Sequence, residues 1–99
     1  MTSPTRLDRR LLEAVANLAP GEVVSYADVA ARAGRPGAAR AAGRVLANCQ
    51  GSVPWWRVVY SDGRLPDCNR KVQAKRLKAE GVQLKSGRVV LAPRGRFER

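Results

Sequence analysis

The sequence predicts an α/β, mainly α, fold class consisting of a single winged helix-turn-helix domain. A chain of 99 residues supplies enough side chains for one hydrophobic core and too few for two. Two segments of helical character flank a tight turn at Arg35-Pro36-Gly37, which is the arrangement of a helix-turn-helix. Short β-branched segments bounded by turn residues come after it, so we expect a small amount of sheet in the C-terminal half.

An amphipathic first helix is predicted over residues 5–18. Its leucines and its valine recur at helical spacing, and Pro20-Gly21 ends that pattern. Val23-Val24 then forms a short extended segment. The first helix is therefore expected to supply side chains to the core.

Two further helices are predicted, one on each side of the tight turn. Ser25 can cap the second helix, because Asp28 three residues later comes close to completing a capping box. Gly34 ends this helix as a C-cap residue. Residues 38–46 form the third helix, which has few bulky side chains.

The C-terminal half is predicted to contain two hairpins separated by a helix. Residues 56–60 are apolar and β-branched enough for a strand, and the turn at Ser61-Asp62-Gly63 would return the chain as a hairpin, the wing. Residues 70–80 have helical propensity throughout and are followed by Gly81. A final small hairpin is predicted over residues 82–91.

The ends of the chain are expected to lie loosely on this one domain, which we assign to residues 1–99. Residues 1–4 are a polar lead-in without the pattern of a signal peptide, and residues 94–99 are a basic tail. We therefore expect a cytoplasmic protein, associated with the nucleoid if it is bacterial. Cys49 and Cys68 are too few for a disulfide framework, and without any His no zinc site is expected.

The charge of the chain predicts a polyanionic partner. Lys and Arg number 19 against 8 Asp and Glu, a formal net charge of +11. Residues 51–99 carry twelve basic side chains against four acidic ones, whereas residues 1–50 carry seven against four. Such a field attracts nucleic-acid phosphates regardless of sequence. A basic surface that only aids solubility is the alternative, and a membrane surface is disfavoured because no long apolar run is present.

Two groups of residues suggest more specific chemistry. The third helix has almost no side chain on one side, and Arg40 in its middle could occupy the space left when a base leaves the DNA stack. Close packing in the core and a solvated arginine are the alternatives. Trp55 and Trp56 would face opposite ways on a strand, so one could pack while the other lines a pocket for a flipped base. Alternatively, both pack in the core.

Four segments taken together resemble the DNA-binding domain of the O6-alkylguanine-DNA alkyltransferases in order and spacing. They are residues 21–26, 38–43, 54–59 and 79–82, and the resemblance extends over residues 5–84. The transferases carry a Pro-Cys-His-Arg-Val motif, in which the Cys accepts the alkyl group and a Glu-held His activates it through a water. Trp55 stands at the Cys position, so the chain is similar to the alkyltransferase-like branch, which does not transfer.

The resemblance implies that the chain recognises damaged DNA. It implies binding of double-stranded DNA through the minor groove, flipping of O6-alkylguanine, and retention of that base without repair. It implies no enzyme activity and no cofactor, and hand-over of the lesion to nucleotide excision repair proteins. We expect the protein to be a monomer.

The matching positions predict a DNA-contact set and a lesion pocket. Arg40 matches the arginine that fills the gap in the duplex, and Tyr26 matches the tyrosine that crowds the 3′ phosphate. The residues that match the small minor-groove face are Ala38, Ala39, Ala41 and Gly43. The predicted lesion pocket consists of Asn48, Pro54, Trp55, Trp56, Arg57 and Arg70, with Glu80 in a supporting role.

Two departures from the family pattern affect this pocket. Trp56 replaces the His that most alkyltransferase-like proteins keep, which alters the hydrogen bonds of the pocket. The segment between Gly63 and Val72 is short for the family, and we assign Arg70 as the arginine that senses the modified base. For Asn48, Arg57 and Glu80, structural capping or pairing remains an alternative to contact with the ligand.

Two other function classes remain open from the residues themselves. An ordinary winged-helix transcriptional or architectural protein would share the basic charge but would not need a base pocket. A transferase could use Cys49 or Cys68, although no His exists to activate either thiol.

Overall fold

The computed structural model describes residues 5–47, 53–67 and 69–98. Its elements in chain order are α1 Arg6–Ala16, β1 Glu22–Ser25, α2 Tyr26–Arg32, α3 Ala39–Ala47, a 3₁₀ turn Trp55–Arg57, β2 Val58–Val59, α4 Arg70–Ala79, β3 Gln83–Lys85, β4 Arg88–Leu91 and β5 Arg94–Gly95. Within the described ranges, no helix is both long enough and apolar enough to cross a membrane.

The helix boundaries follow local capping chemistry. The backbone N–H of Asp28 donates to the Ser25 hydroxyl at 3.0 Å, and the N–H of Ser25 donates to the Asp28 carboxylate at 2.9 Å. The predicted capping box of α2 is therefore confirmed. Gly34 and Gly81 adopt φ angles of +85° and +86° just after α2 and α4, where an L side chain would be strained.

The predicted wing hairpin at residues 56–60 is wrong. Its first part is the 3₁₀ turn, and β2 lies parallel to β1 with Val24 opposite Val58. The chain does turn back, because the N–H of Tyr60 donates to the Arg64 carbonyl at 3.0 Å, but the returning segment bridges to Arg88 at the start of β4. Gly63 makes this docking possible, since a Cβ there would collide with the carbonyl oxygen of Val89.

The C-terminal segment expected to be loose is paired over its first residues. Strand β5 lies parallel to β1, which makes the order of the three-stranded sheet β2-β1-β5. A Cβ at Gly95 would collide with the carbonyl oxygen of Val23, so the close approach of the two strands depends on this glycine. The predicted final hairpin is confirmed as the antiparallel pair β3–β4, with Ser86 and Gly87 in its turn at positive φ.

Strand β1 separates two hydrophobic clusters. Its alternating side chains place Val24 in the cluster formed with α1, α2 and α3, and Val23 in the cluster formed with α4 and the β3–β4 hairpin. Val58 and Val59 of β2 divide in the same way. The helix-turn-helix and the C-terminal half are thus joined by a shared strand pair, and the 3₁₀ turn before β2 lies at their junction.

Candidate functional site

A cavity of about 600 Å³ opens at this junction. Side chains from α2, α3, the 3₁₀ turn, the segment 60–69 and α4 line it. A volume in this range is typical of pockets that hold a small molecule or a single base. The cavity is therefore the place where the predicted site residues should meet if the sequence interpretation is correct.

Five of the predicted site residues line the cavity together. They are Tyr26, Ala39, Arg40, Gly43 and Trp55. Ala38 and Ala41, which were predicted to share the small face of α3, instead pack against the first hydrophobic cluster. The face that borders the cavity is thus narrower than the sequence suggested.

The part of α3 that borders the cavity combines open space with a cation. A Cβ added at Gly43 would have no neighbour within 4 Å, so another surface can approach the helix backbone closely there. Arg40 is exposed, and its guanidinium forms no ion pair with the residues that the structure describes. The helix therefore presents an unpaired positive side chain, within the described residues, beside a smooth surface at the cavity.

The two tryptophans occupy different environments. Trp55 lines the cavity and packs against the first cluster, whereas Trp56 packs against the second. Their rings meet edge to face, with centroids 6.1 Å apart. The guanidinium carbons of Arg57 and Arg76 lie 5.1 and 4.7 Å from the centroid of the Trp56 ring. That of Arg76 also lies 5.8 Å from the centroid of the Trp55 ring. The wall of the cavity at Trp55 is thus supported from behind.

Glu80 is the centre of a hydrogen-bond network behind that wall. Its carboxylate accepts from Arg57 Nε at 2.9 Å and Nη2 at 2.7 Å, from Trp56 Nε1 at 3.0 Å, and from the Gly21 N–H at 2.9 Å. Burial by itself would raise the pKa of Glu80, but these donors outweigh it and the pKa lies below its usual range. Arg57 also donates to the Leu18 carbonyl at 2.8 Å.

This network assigns Arg57, Glu80 and Trp56 to support of the pocket. None of the three lines the cavity in the structure, and their polar atoms are engaged with one another. Of the two interpretations left open by the sequence, structural pairing describes what Arg57 and Glu80 do here.

Gln73 is a cavity residue that the sequence reasoning missed. Its side chain is fully buried, and Nε2 donates to the carbonyls of Trp56 at 3.1 Å and Val58 at 3.0 Å. These bonds tie α4 to the 3₁₀ turn and to β2. Its spacing of four from the buried Leu77 placed it on the inner face of the helix, which was the available signal.

The segment after β2 contributes more lining residues that were not predicted. They are Tyr60, Ser61, Pro66, Asp67 and Asn69. The Tyr60 ring lies 5.6 Å from that of Tyr26 and is 43% exposed, which is unusual for a large aromatic side chain. An aromatic residue at the end of a strand and before a turn was the signal for this position.

The remaining predicted site residues lie elsewhere. Pro54 precedes the 3₁₀ turn and does not line the cavity. Arg70 pairs with Asp67 and lines a neighbouring cleft. Asn48 lies outside the described residues, as do Cys49 and Cys68. Among the described residues, no three Cys, Asp or Glu side chains are grouped so that they could hold a metal ion.

A basic helix-turn-helix beside a base-sized cavity defines a class of DNA-binding protein. Comparison with known proteins defines the family. The family model described as "6-O-methylguanine DNA methyltransferase, DNA binding domain" matches residues 6–82. The chain belongs to this family, in its alkyltransferase-like branch, and the resemblance inferred from the four segments is confirmed.

Curated relatives include two bacterial proteins named "DNA base-flipping protein". That of Vibrio parahaemolyticus is 38% identical over 76 residues, which cover 72% of this chain and 76% of the relative. That of Escherichia coli K12 is 43% identical over 90 residues, which cover 84% of this chain and 68% of the relative.

Solved structures of similar fold include both a lesion-binding protein and a transferase. S. pombe Atl1, in complex with damaged DNA containing O6-carboxymethylguanine, matches with a TM-score of 0.76 and 27% identity over 86% of this chain and 83% of its own. The M. tuberculosis O6-methylguanine methyltransferase matches with a TM-score of 0.69 and 29% identity over 85% of this chain, but over only 53% of its own. These matches confirm the predicted α/β fold class of the alkyltransferase DNA-binding type, although the segment expected to form the wing pairs differently.

Proposed function

We propose that this chain binds double-stranded DNA, takes a guanine with an O6-alkyl group into the cavity beside Trp55, and holds it without removing the alkyl group. The observation that carries the proposal is the cavity itself, with Arg40 and the open backbone of Gly43 on one side and the Trp55 ring on the other. The relatives named for base flipping, and Atl1 bound to damaged DNA, support the same assignment.

Each part of the cavity has a role in this function. The open backbone at Gly43 lets α3 enter the minor groove, and Arg40 takes the place that the extruded nucleotide leaves in the duplex. The Trp55 ring offers an aromatic face for the base. Tyr26, with Tyr60 against its ring, lines the cavity and helps to rotate the nucleotide.

Retention without repair is a consequence of the chemistry at position 55. An indole is not a nucleophile toward an alkyl ether, so Trp55 cannot accept the group. No histidine exists to activate another acceptor, and the Glu80 carboxylate is occupied by four donors. The bound lesion is therefore marked rather than removed.

We extend the proposal to the steps after binding. The protein acts as a monomer in the cytoplasm, on the nucleoid in a bacterial cell, and hands the lesion to nucleotide excision repair proteins. Support for the hand-over comes from the resemblance to alkyltransferase-like proteins.

A competition titration tests the binding function. Two duplexes of one sequence, differing only in guanine or O6-methylguanine at a single position, are compared at a fixed salt concentration. We expect tighter binding of the methylated duplex. Equal affinities would indicate a winged-helix protein without lesion recognition.

Mass spectrometry of the protein after incubation with the methylated duplex tests the absence of transfer. We expect the unmodified mass of the chain at all times. A methyl adduct on any residue, Cys49 and Cys68 included, would make the protein a transferase.

A further inference from the structure

A second cleft lies beside the cavity. Its volume is about 460 Å³, and it shares Tyr60 and Asp67 with the first cavity. The opposite wall is the turn of the β3–β4 hairpin at Ser86 and Gly87. The cleft therefore extends the surface around the lesion pocket away from the helix-turn-helix and toward the hairpin.

Three arginines dominate the electrostatics of this cleft. Arg64, Arg70 and Arg88 all line it, with 61%, 55% and 49% of their side chains exposed. Arg64 and Arg88 share one carboxylate, since their guanidinium nitrogens lie 2.9 and 4.0 Å from the same oxygen of Asp62. One carboxylate cannot neutralise two guanidinium groups, so the cleft keeps a net positive charge even with Asp67 paired to Arg70.

Two of the three arginines, Arg64 and Arg88, are joined through the backbone. Arg64 and Arg88 form a β-bridge, and the N–H of Val89 donates to the Gly63 carbonyl at 2.8 Å. The Arg64 guanidinium also lies 5.2 Å from the centroid of the Tyr60 ring, a residue that lines both the cleft and the cavity. The backbone that carries Arg64 and Arg88 is therefore fixed beside the lesion pocket.

We propose that this cleft binds the phosphodiester backbone of the duplex beside the nucleotide held in the cavity. Guanidinium groups match phosphate oxygens in a bidentate geometry and stay charged at every physiological pH. The inference rests on the proposed function, because the cavity fixes where the duplex lies. It assigns the β3–β4 hairpin and the 60–64 turn to the DNA interface, in addition to α3.

The test uses single arginine variants in a salt series. Arg64→Gln and Arg88→Gln each remove one charge at the cleft, whereas Arg10→Gln on the exposed face of α1 is the matched control. Affinity for the guanine and O6-methylguanine duplexes is measured between 0.1 and 1 M salt. Thermal unfolding of each variant establishes that it folds, and Arg88→Lys keeps the charge at the same position.

We expect each cleft variant to reduce the slope of log affinity against log salt by about 0.9, which makes binding about eightfold weaker at 0.1 M salt. The loss should be equal for both duplexes, and Arg88→Lys and Arg10→Gln should keep the wild-type slope. Cleft variants that keep the wild-type slope would overturn the proposal. A loss confined to the methylated duplex would also overturn it, because it would place the arginines on the lesion instead. Failure of the proposed function would appear separately, as equal affinities of the wild-type protein for the two duplexes.

Discussion

At the scale of single residues, the replacement of the family's Cys-His pair by Trp55 and Trp56 changes both the cavity and its support. Trp55 provides a ring where an acceptor sulfur would be, and Trp56 Nε1 donates to the Glu80 carboxylate at 3.0 Å. The second indole is therefore part of the network behind the cavity wall. It is too weakly basic to activate a nucleophile.

Trp55→Cys is expected to bind O6-methylguanine DNA but to accept the methyl group slowly or not at all. A thiol with an ordinary pKa near 8.5 is mostly protonated at neutral pH, and the neighbouring Trp56 cannot act as the base that activates it. Trp55→Cys with Trp56→His should regain some transfer, because the imidazole can donate one N–H to Glu80 and use its other nitrogen as a base. Mass spectrometry would detect a methyl adduct at position 55. Rapid and complete methylation of the single variant would contradict the role given to Trp56.

Arg40→Ala is expected to weaken binding of the lesion duplex by about 1–3 kcal/mol without lowering the unfolding temperature. The exposed guanidinium forms no ion pair within the described residues, so its removal costs the free protein little. Arg40→Lys keeps the charge but not the planar group, so its affinity for the lesion duplex should fall between those of the wild type and Arg40→Ala. A binding titration with thermal unfolding measures both effects. An unchanged affinity would reduce Arg40 to a surface residue.

At the scale of elements, α3 and the network around Glu80 place separate demands on the sequence. Helix α3 needs small residues at positions 39, 43 and 47 of the cavity lining, although a glycine inside a helix reduces its stability. The network needs a charged carboxylate at the end of α4, where it joins the 3₁₀ turn to the segment before β1. Larger side chains on α3 should therefore weaken DNA binding in a stable protein, whereas loss of the Glu80 charge should lower the stability of the fold.

Gly43→Ala should stabilise the free protein by about 0.5–1 kcal/mol, because alanine favours the helix and its Cβ meets no neighbour within 4 Å. Gly43→Leu should fold as well but should bind DNA far more weakly, since its side chain occupies the cavity and blocks close approach of the duplex. Urea unfolding and a binding titration distinguish the two effects. Wild-type affinity in Gly43→Leu would show that this face of α3 does not meet DNA.

Glu80→Gln should destabilise the protein by about 3 kcal/mol at pH 7, because the buried Arg57 loses its counter-charge. The folded-state pKa of Glu80 is lowered, so its contribution to stability is complete above the pKa of a glutamate in the unfolded chain and is lost as the pH falls through the lower folded-state pKa. The difference from the wild type should therefore shrink in acid. Urea unfolding from pH 7 downward measures this, with the exposed Glu13→Gln as control. A difference independent of pH would contradict the ionised network.

At the scale of the whole molecule, local signals in the sequence predicted local structure well. The Ser25 capping box, the glycines after α2 and α4, and the β3–β4 hairpin depend on neighbouring residues and were confirmed. The parallel pairing of β1 with β2 and β5 depends on segments more than thirty residues apart, and no local pattern encodes it. The predicted wing hairpin was wrong because β2 pairs in parallel with the distant β1.

The residues of the candidate site also divide into those that local motifs identify and those that only the three-dimensional arrangement reveals. Arg40 and Trp55 could be identified from motifs, and the structure places both at the cavity. Gln73 and Tyr60 became visible only when α4 and the segment after β2 were placed in space. The sequence also could not show that Arg57 and Glu80 face each other behind the wall rather than the cavity.

The central claim is that the altered base itself enters the cavity, and tryptophan fluorescence tests it most directly. The chain has 2 tryptophans, so Trp56→Phe leaves Trp55 as the only indole. At saturating concentrations of DNA, we expect stacking of the O6-methylguanine base to change the Trp55 emission strongly, and the guanine duplex to change it little. The same emission change with both duplexes at saturation would contradict the account, because Trp55 would then sense bound DNA without receiving the lesion.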